Sequence, residues 1–220
     1  MKNKVRIRVA VLALLIFLGF LQSAFASRDW EYWSYETYTV PITKTVDYVV
    51  VTEWRFKNDM DYNYLFKVET GPYFKINKYL DIAPYYAYQE KQSQNMWDRS
   101  DLAYFDTTGK ITLENFFDIK ISNRFRYEYN FDKAKTVLRN SLKLSRGFKI
   151  GKHEIAPYFN EEPFYDCKLN RITEHRTSSG ITYSFTKNIS FSIGYMLNSK
   201  KGSPKWTYAN VLVSNLSIRF

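Results

Sequence analysis

His153 and His175 are the only histidines of the chain and Cys167 is its only cysteine, so acid–base and nucleophilic chemistry has few places to reside. A serine nucleophile needs its base within hydrogen-bond reach. His175 has Glu174, Thr177, Ser178 and Ser179 close by in sequence, but positions i and i+4 of an extended strand lie about 13 Å apart. Ser179 and Thr177 are both out of reach, so a base at His175 has to serve a residue on another strand, as in a barrel that hydrolyses lipid esters. Without such a residue His175 is a plain interfacial histidine. His153 adjoins Gly151-Lys152, a tight turn and a poor place for a reaction centre. A lone cysteine closes no internal disulfide, and Cys167 reads as a loop residue. Asp98, Asp101 and Asp106 fall in a loop-like region and carry the oxygen ligands that calcium takes, but they lack the Gly and terminal Glu of an EF-hand loop. They read as a solvated loop. There is no phosphate-cradling glycine loop or nucleotide fingerprint, so neither a metal nor a cofactor is expected.

A second set of side chains is charged throughout. Arg124, Arg126, Glu128, Arg139, Lys143 and Glu162 fall on one face of successive extended segments. Cross-strand neighbours about 5 Å apart can pair opposite charges, and an unpaired buried charge is costly. The set predicts an ion-pair network filling an enclosed space. The alternative is an ion-selective pore lining.

The segments that position these residues show period-two alternation over about ten residues, as strands with two unlike faces do. Ile189, Phe191, Ile193, Tyr195 and Leu197 alternate with Ser190, Ser192, Gly194 and Met196. Ile121, Phe125, Tyr127, Tyr129 and Phe131 alternate with Ser122, Arg124, Arg126, Glu128 and Asn130, and Leu138, Leu142, Leu144 and Phe148 with Arg139, Ser141, Lys143 and Ser145. Tyr48, Val50, Trp54 and Phe56 partly alternate with Glu53, Arg55 and Lys57. Further candidates are 31–40, 62–75, 80–90, 101–117, 153–164, 171–185 and 206–220, which makes eleven segments. Bacterial single-chain membrane barrels have an even number of strands. One segment is therefore expected to be missed, merged or miscounted, with a hidden turn at Thr108-Gly109 or a false strand at the Tyr-rich start. Short connections such as 41–44, 76–78 and 150–152 alternate with mostly longer ones such as 91–100, 165–170 and 199–205, the asymmetry of tight periplasmic turns and longer outer loops.

Lys2, Lys4, Arg6 and Arg8 precede the uncharged apolar run Val9–Leu21 and Ala24-Phe25-Ala26. That is the pattern of a secretory signal peptide; the run of 13 residues is short of the roughly 20 that a spanning helix needs. Residues 1–26 are read as the signal and 27–220 as the mature domain, whose net charge falls from +10 to +6 once those four cations are removed. No Lys/Arg-rich run or zinc spacing remains, so no nucleic-acid partner is expected. Aromatic residues make up 19% of the chain, enough for girdles at two membrane interfaces.

Phe220 ends a period-two segment with Ile218, Leu216 and Leu212. An amphipathic strand of this kind, with an edge open for strand addition, is an assembly signal for the barrel assembly machinery. The second half, through Ser122–Glu128, Arg139–Ser145, Pro157–Tyr165 and Ser192–Leu197, resembles a family of predicted outer-membrane barrels known as domain of unknown function 2490. The likeness is strong over about residues 118–220 and one of general character before them. It implies fold and location and brings no activity with it. Pro163 stands where that family carries a branched aliphatic residue, so a broken strand end is expected there.

The expected fold is all-β: an antiparallel transmembrane β-barrel of about 10–12 strands in the outer membrane of a Gram-negative bacterium, in contact with lipid and lipopolysaccharide. The function expected of it is that of a narrow passive channel for small solutes or a structural membrane component. The alternatives are a lipid-modifying barrel centred on His175 and a soluble lipocalin-like binder with an apolar interior.

Overall fold

The computed structural model describes residues 30–93, 96–114, 118–151, 153–202 and 205–220. The segment 1–26, expected to be a signal peptide, lies outside the described residues, as do 115–117 at the end of one expected strand. Among the described residues the fold is all-β: β1 (Trp30–Pro41), β2 (Val46–Lys57), β3 (Tyr62–Lys75), β4 (Leu80–Ser93), β5 (Met96–Leu113), β6 (Ile119–Asn130), β7 (Lys135–Ser145), β8 (Phe148–Ile150), β9 (His153–Asp166), β10 (Arg171–Ser184), β11 (Ile189–Lys201) and β12 (Trp206–Arg219).

Apart from the short β8, each strand pairs with the strands before and after it in sequence, and the sheet closes where β1 meets β12. The three residues of β8 continue β7 along the same edge of β9 after an irregularity at Arg146-Gly147, where the Arg146 amide still donates to the Pro157 carbonyl at 3.2 Å. The wall therefore has eleven staves, and they are the eleven segments that the alternation picks out. The even count was the mistaken expectation. In an up-and-down meander with an odd number of staves the first and last run the same way, so the closing pair has to be parallel. β1 and β12 are parallel from Trp30 opposite Asn210 to Thr39 opposite Arg219, while the other pairs are antiparallel. No turn interrupts β5 at Thr108-Gly109, which pair across to Asp81 and Leu80, and the Tyr-rich start is a true strand.

A first rim carries the start of β1 and the turns 58–61, 131–134 and 167–170; a second rim carries the turns 42–45, 76–79 and 185–188 and Phe220. Of the long loops expected, 91–100 is mostly strand, shared between β4 and β5, while 165–170 gives only its first two residues to β9 and 199–205 its first three to β11.

Alternation decides what fills the barrel. Two glycines on the inward face, Gly180 and Gly194, stand directly opposite one another on β10 and β11. A Cβ on Gly180 would lie 2.4 Å from the Ile193 carbonyl oxygen and 2.8 Å from the Tyr158 hydroxyl. The missing side chains are the space that the Tyr158 ring occupies. Pro163 does not break β9, which runs on to Asp166. Lacking an N–H, it instead coincides with a gap in the β7–β9 ladder between Arg139 opposite Phe164 and Leu142 opposite Glu161.

Candidate functional site

Arg126 on β6 is the centre of the lumen. Its Nε and Nη2 donate to Asp106 Oδ1 and Oδ2 at 2.6 and 2.7 Å, and its Nη1 and Nη2 donate to Glu69 Oε2 and Oε1 at 3.0 and 2.6 Å. Asp106 is directly opposite on β5, whereas Glu69 belongs to β3, so the second fork passes over β4 and β5 as a chord across the lumen. The inward positions of β4 include the small Ala83 and Ala87, both covered, which leave room for it.

From Arg126 the contacts run around the lumen in both directions. Glu69 meets the Lys67 ammonium at 3.7 Å, Lys67 meets Glu53 at 2.6 Å and Glu53 meets Arg55 at 2.5 Å. In the other direction Asp106 faces Arg124 at 3.8 Å, Arg124 donates to Glu162 at 2.7 Å, and Glu162 faces Arg176 at 3.8 Å. The two arms meet on Trp33, whose ring is stacked by Arg55 at 3.6 Å and Arg176 at 4.8 Å. The circuit is closed. Arg139 is attached to it through Glu162 at 2.9 Å and carries Glu128 at 3.3 Å, while Phe164 lies under both Arg139 and Arg176 at 4.3 Å. Arginine is suited to this, since its planar fork makes two parallel bonds and still stacks on a ring.

Trp33 is 0%, Glu53 1% and Arg126 3% exposed, so at these three side chains the ring is packed away from solvent. On the first-rim side Glu31 accepts from Trp33 Nε1 and from the Tyr64 hydroxyl, both at 2.7 Å, and Met196 and Val211 pack on Trp33. On the second-rim side a cavity of about 490 Å³ remains, with Glu69, Asp106, Arg124 and Arg126 among the groups lining it. Its other charges are paired too: Asp47 accepts both Nη atoms of Arg219 at 2.9 and 2.8 Å and meets Lys75 at 2.7 Å, and Asp81 is held by Lys110 at 2.5 Å and by the Tyr73 hydroxyl.

Of the six residues singled out by their alternation, five are thus joined through shared partners. The sixth, Lys143, sits apart, its ammonium 4.6 Å from the Tyr158 ring centroid. Glu53, Arg55, Lys67, Glu69, Arg176 and Trp33 were not foreseen as members of one network, although Lys67 and Glu69 alternate with Phe66 and Val68 as clearly as the chosen residues do. Asp106 is corrected from a residue of a solvated loop to an ion-pair partner inside β5. Asp101 is on the opposite face, taking the Tyr86 hydroxyl, and its amide donates to Asp132 at 2.7 Å. Among the described residues no three His, Cys, Asp or Glu side chains converge as a metal site.

His175 points outward from β10, its Nε2 2.8 Å from Glu161 Oε2 on β9. His153 stacks on Tyr183 with ring centroids 5.3 Å apart, and Cys167 is exposed in the 167–170 turn. Leu212, Leu216 and Ile218 are on the outer face of β12, and the Phe220 amide donates to the Thr39 carbonyl at 3.0 Å. Both edges of β12 are paired in the closed barrel.

No curated protein matches the chain. A family model does match over residues 30–209, which is nearly the whole described barrel, and the chain belongs to the family of proteins of unknown function DUF2490.

Proposed function

We propose that this protein is a closed β-barrel of the Gram-negative outer membrane, a structural membrane component and not an open channel. The observation that carries the reading is the inversion of polarity across the wall. Phe105, Phe125 and Ile193 are 47, 46 and 48% exposed on the outer face, while the ion-paired side chains of the ring face the interior. Such a surface is unstable in water and natural in hydrocarbon, where a closed barrel satisfies every backbone group. The packed ring favours the structural role over the passive channel. A lipocalin-like binder needs an apolar cup, and this lumen offers guanidinium and carboxylate groups.

On this reading residues 1–26 are the export signal, the outer wall contacts lipid and lipopolysaccharide, and Leu212, Leu216, Ile218 and Phe220 present the terminal strand to the barrel assembly machinery before β1 closes on it. The test is integration. Mature protein refolded with outer-membrane lipids is expected to float with the vesicles after a urea wash and to migrate differently in gels with and without boiling. A detergent-free soluble monomer overturns the reading.

A further inference from the structure

We infer that Glu161, His175 and Ser199 form a hydrolytic site on the outer wall of the barrel, acting on the carboxylic ester bonds of membrane phospholipids; this rests on the membrane reading above. Three adjacent strands bring the residues together. Glu161 of β9 and His175 of β10 are in contact at 2.8 Å, and Ser199 stands directly opposite His175 on β11. Opposite residues of an antiparallel pair share a face, with Cβ atoms about 4.5–5.5 Å apart. Carboxylate, imidazole and hydroxyl thus follow one another across the wall, and Nδ1 is the ring nitrogen that Glu161 leaves unused.

Nothing in the packing of the barrel calls for this pair. Glu162, the next residue along, belongs to the ring, while Glu161 faces away from it beside Leu142 and Thr177. An exposed carboxylate–imidazole contact adds at most about 1 kcal/mol to stability, and an ionisable residue on a membrane wall marks function by default.

Depth fits the substrate. His175 is in the fifth position of β10, counted from the first-rim turn, so at about 3.3 Å per residue on a tilted strand it lies roughly 10 Å below the rim. Lys201 follows Ser199 by two positions on the same face and is nearer the rim. A phospholipid has the same order, with its phosphate above its ester carbonyls. Ser199 is 9% exposed, recessed between His175 and Tyr208, its opposite neighbour on β12.

In the reaction Ser199 Oγ attacks the ester carbonyl carbon and its proton passes to His175 Nδ1, with Glu161 holding the imidazolium. The ester C–O bond breaks, and that proton goes to the leaving alkoxide as lysolipid departs. Water then attacks the acyl-serine through the same base, the acyl–Oγ bond breaks, and fatty acid leaves as Ser199 regains its proton. One ester and one water give one alcohol and one acid.

The experiment uses full mature protein in vesicles of phosphatidylethanolamine and phosphatidylglycerol, with flotation as the check of integration. A fluorophosphonate probe is expected to label Ser199, and the vesicles to release fatty acid. Ser199→Ala and His175→Ala are expected to lower both signals by about 10³-fold with unchanged flotation, since neither residue belongs to the ring. Glu161 is a positioning residue: Glu161→Gln is expected to weaken labelling and Glu161→Asp to restore part of it. Integrated protein that is neither labelled nor releases fatty acid overturns the site, and so does labelling that persists in Ser199→Ala. Protein that does not float overturns the membrane reading, and the lipid substrate with it.

Discussion

Arg126 and Glu69 are joined by two hydrogen bonds, at 3.0 and 2.6 Å, although they belong to strands separated by two others in the wall. A pair that spans β4 and β5 does not line a pore; it crosses one. With Asp106 on its other side the guanidinium is shared by two carboxylates, and each of the three is at most 6% exposed. Removing one member of such a cluster leaves charge enclosed without a partner, which costs about 3–5 kcal/mol.

Arg126→Ala is therefore expected to lower the stability of the folded barrel by about 3–5 kcal/mol, read as a lower urea midpoint for unfolding from lipid vesicles. Arg126→Lys should fall between the two, because an ammonium cannot make two parallel forks. Equal midpoints for wild type and Arg126→Ala would remove the ring from the account of stability.

Trp33 joins the two arms of the ring and fills the space between Arg55 and Arg176. Trp33→Ala should cost about 3–5 kcal/mol and should also open the lumen to water. Protection of the β1 amide hydrogens against exchange should fall in that variant. Unchanged exchange would mean that Trp33 does not close the lumen.

Gly180→Ala places a Cβ against the Ile193 carbonyl and the Gly194 Cα as well as the Tyr158 hydroxyl. The folded fraction is expected to drop, and adding Tyr158→Ala should not restore it, because the nearest obstacles are backbone atoms. Full rescue by Tyr158→Ala would place the crowding in the ring alone.

The odd number of staves puts the start of β1 and the end of β12 on opposite rims. If β12 ends at the periplasmic face, the first rim is outside. Cys167 in the first-rim turn should then react with a membrane-impermeant maleimide on intact cells. Lys187→Cys in a Cys167→Ser chain should react only after permeabilisation. The reverse pattern would invert the orientation.

Much of this fold could be read from alternation, because a two-faced strand writes its pleat directly into the sequence. Tyr62–Lys75 was delimited to the residue, and the charges at Arg124, Arg126, Arg139 and Glu162 were placed on the right face. A period of two says which way a side chain points and nothing about its depth or its partner across the lumen. The Arg126–Glu69 chord was invisible for that reason, since it depends on the tilt of strands far apart in the ring. Trp33 was missed because a run of tyrosines near a chain start looks like a false strand. Asp106 was misread because Thr108-Gly109 imitates a turn, whereas the ladders on both sides of β5 hold that stretch extended. Ser199 could not be tied to His175 until the β10–β11 register was known.

The most direct test of the closed barrel is the conductance of a planar bilayer holding wild-type protein already shown to be folded and integrated. The account predicts a silent bilayer at moderate voltage, with discrete steps appearing only when Trp33 or Arg126 is truncated. Regular single-channel steps from the wild-type protein would contradict it.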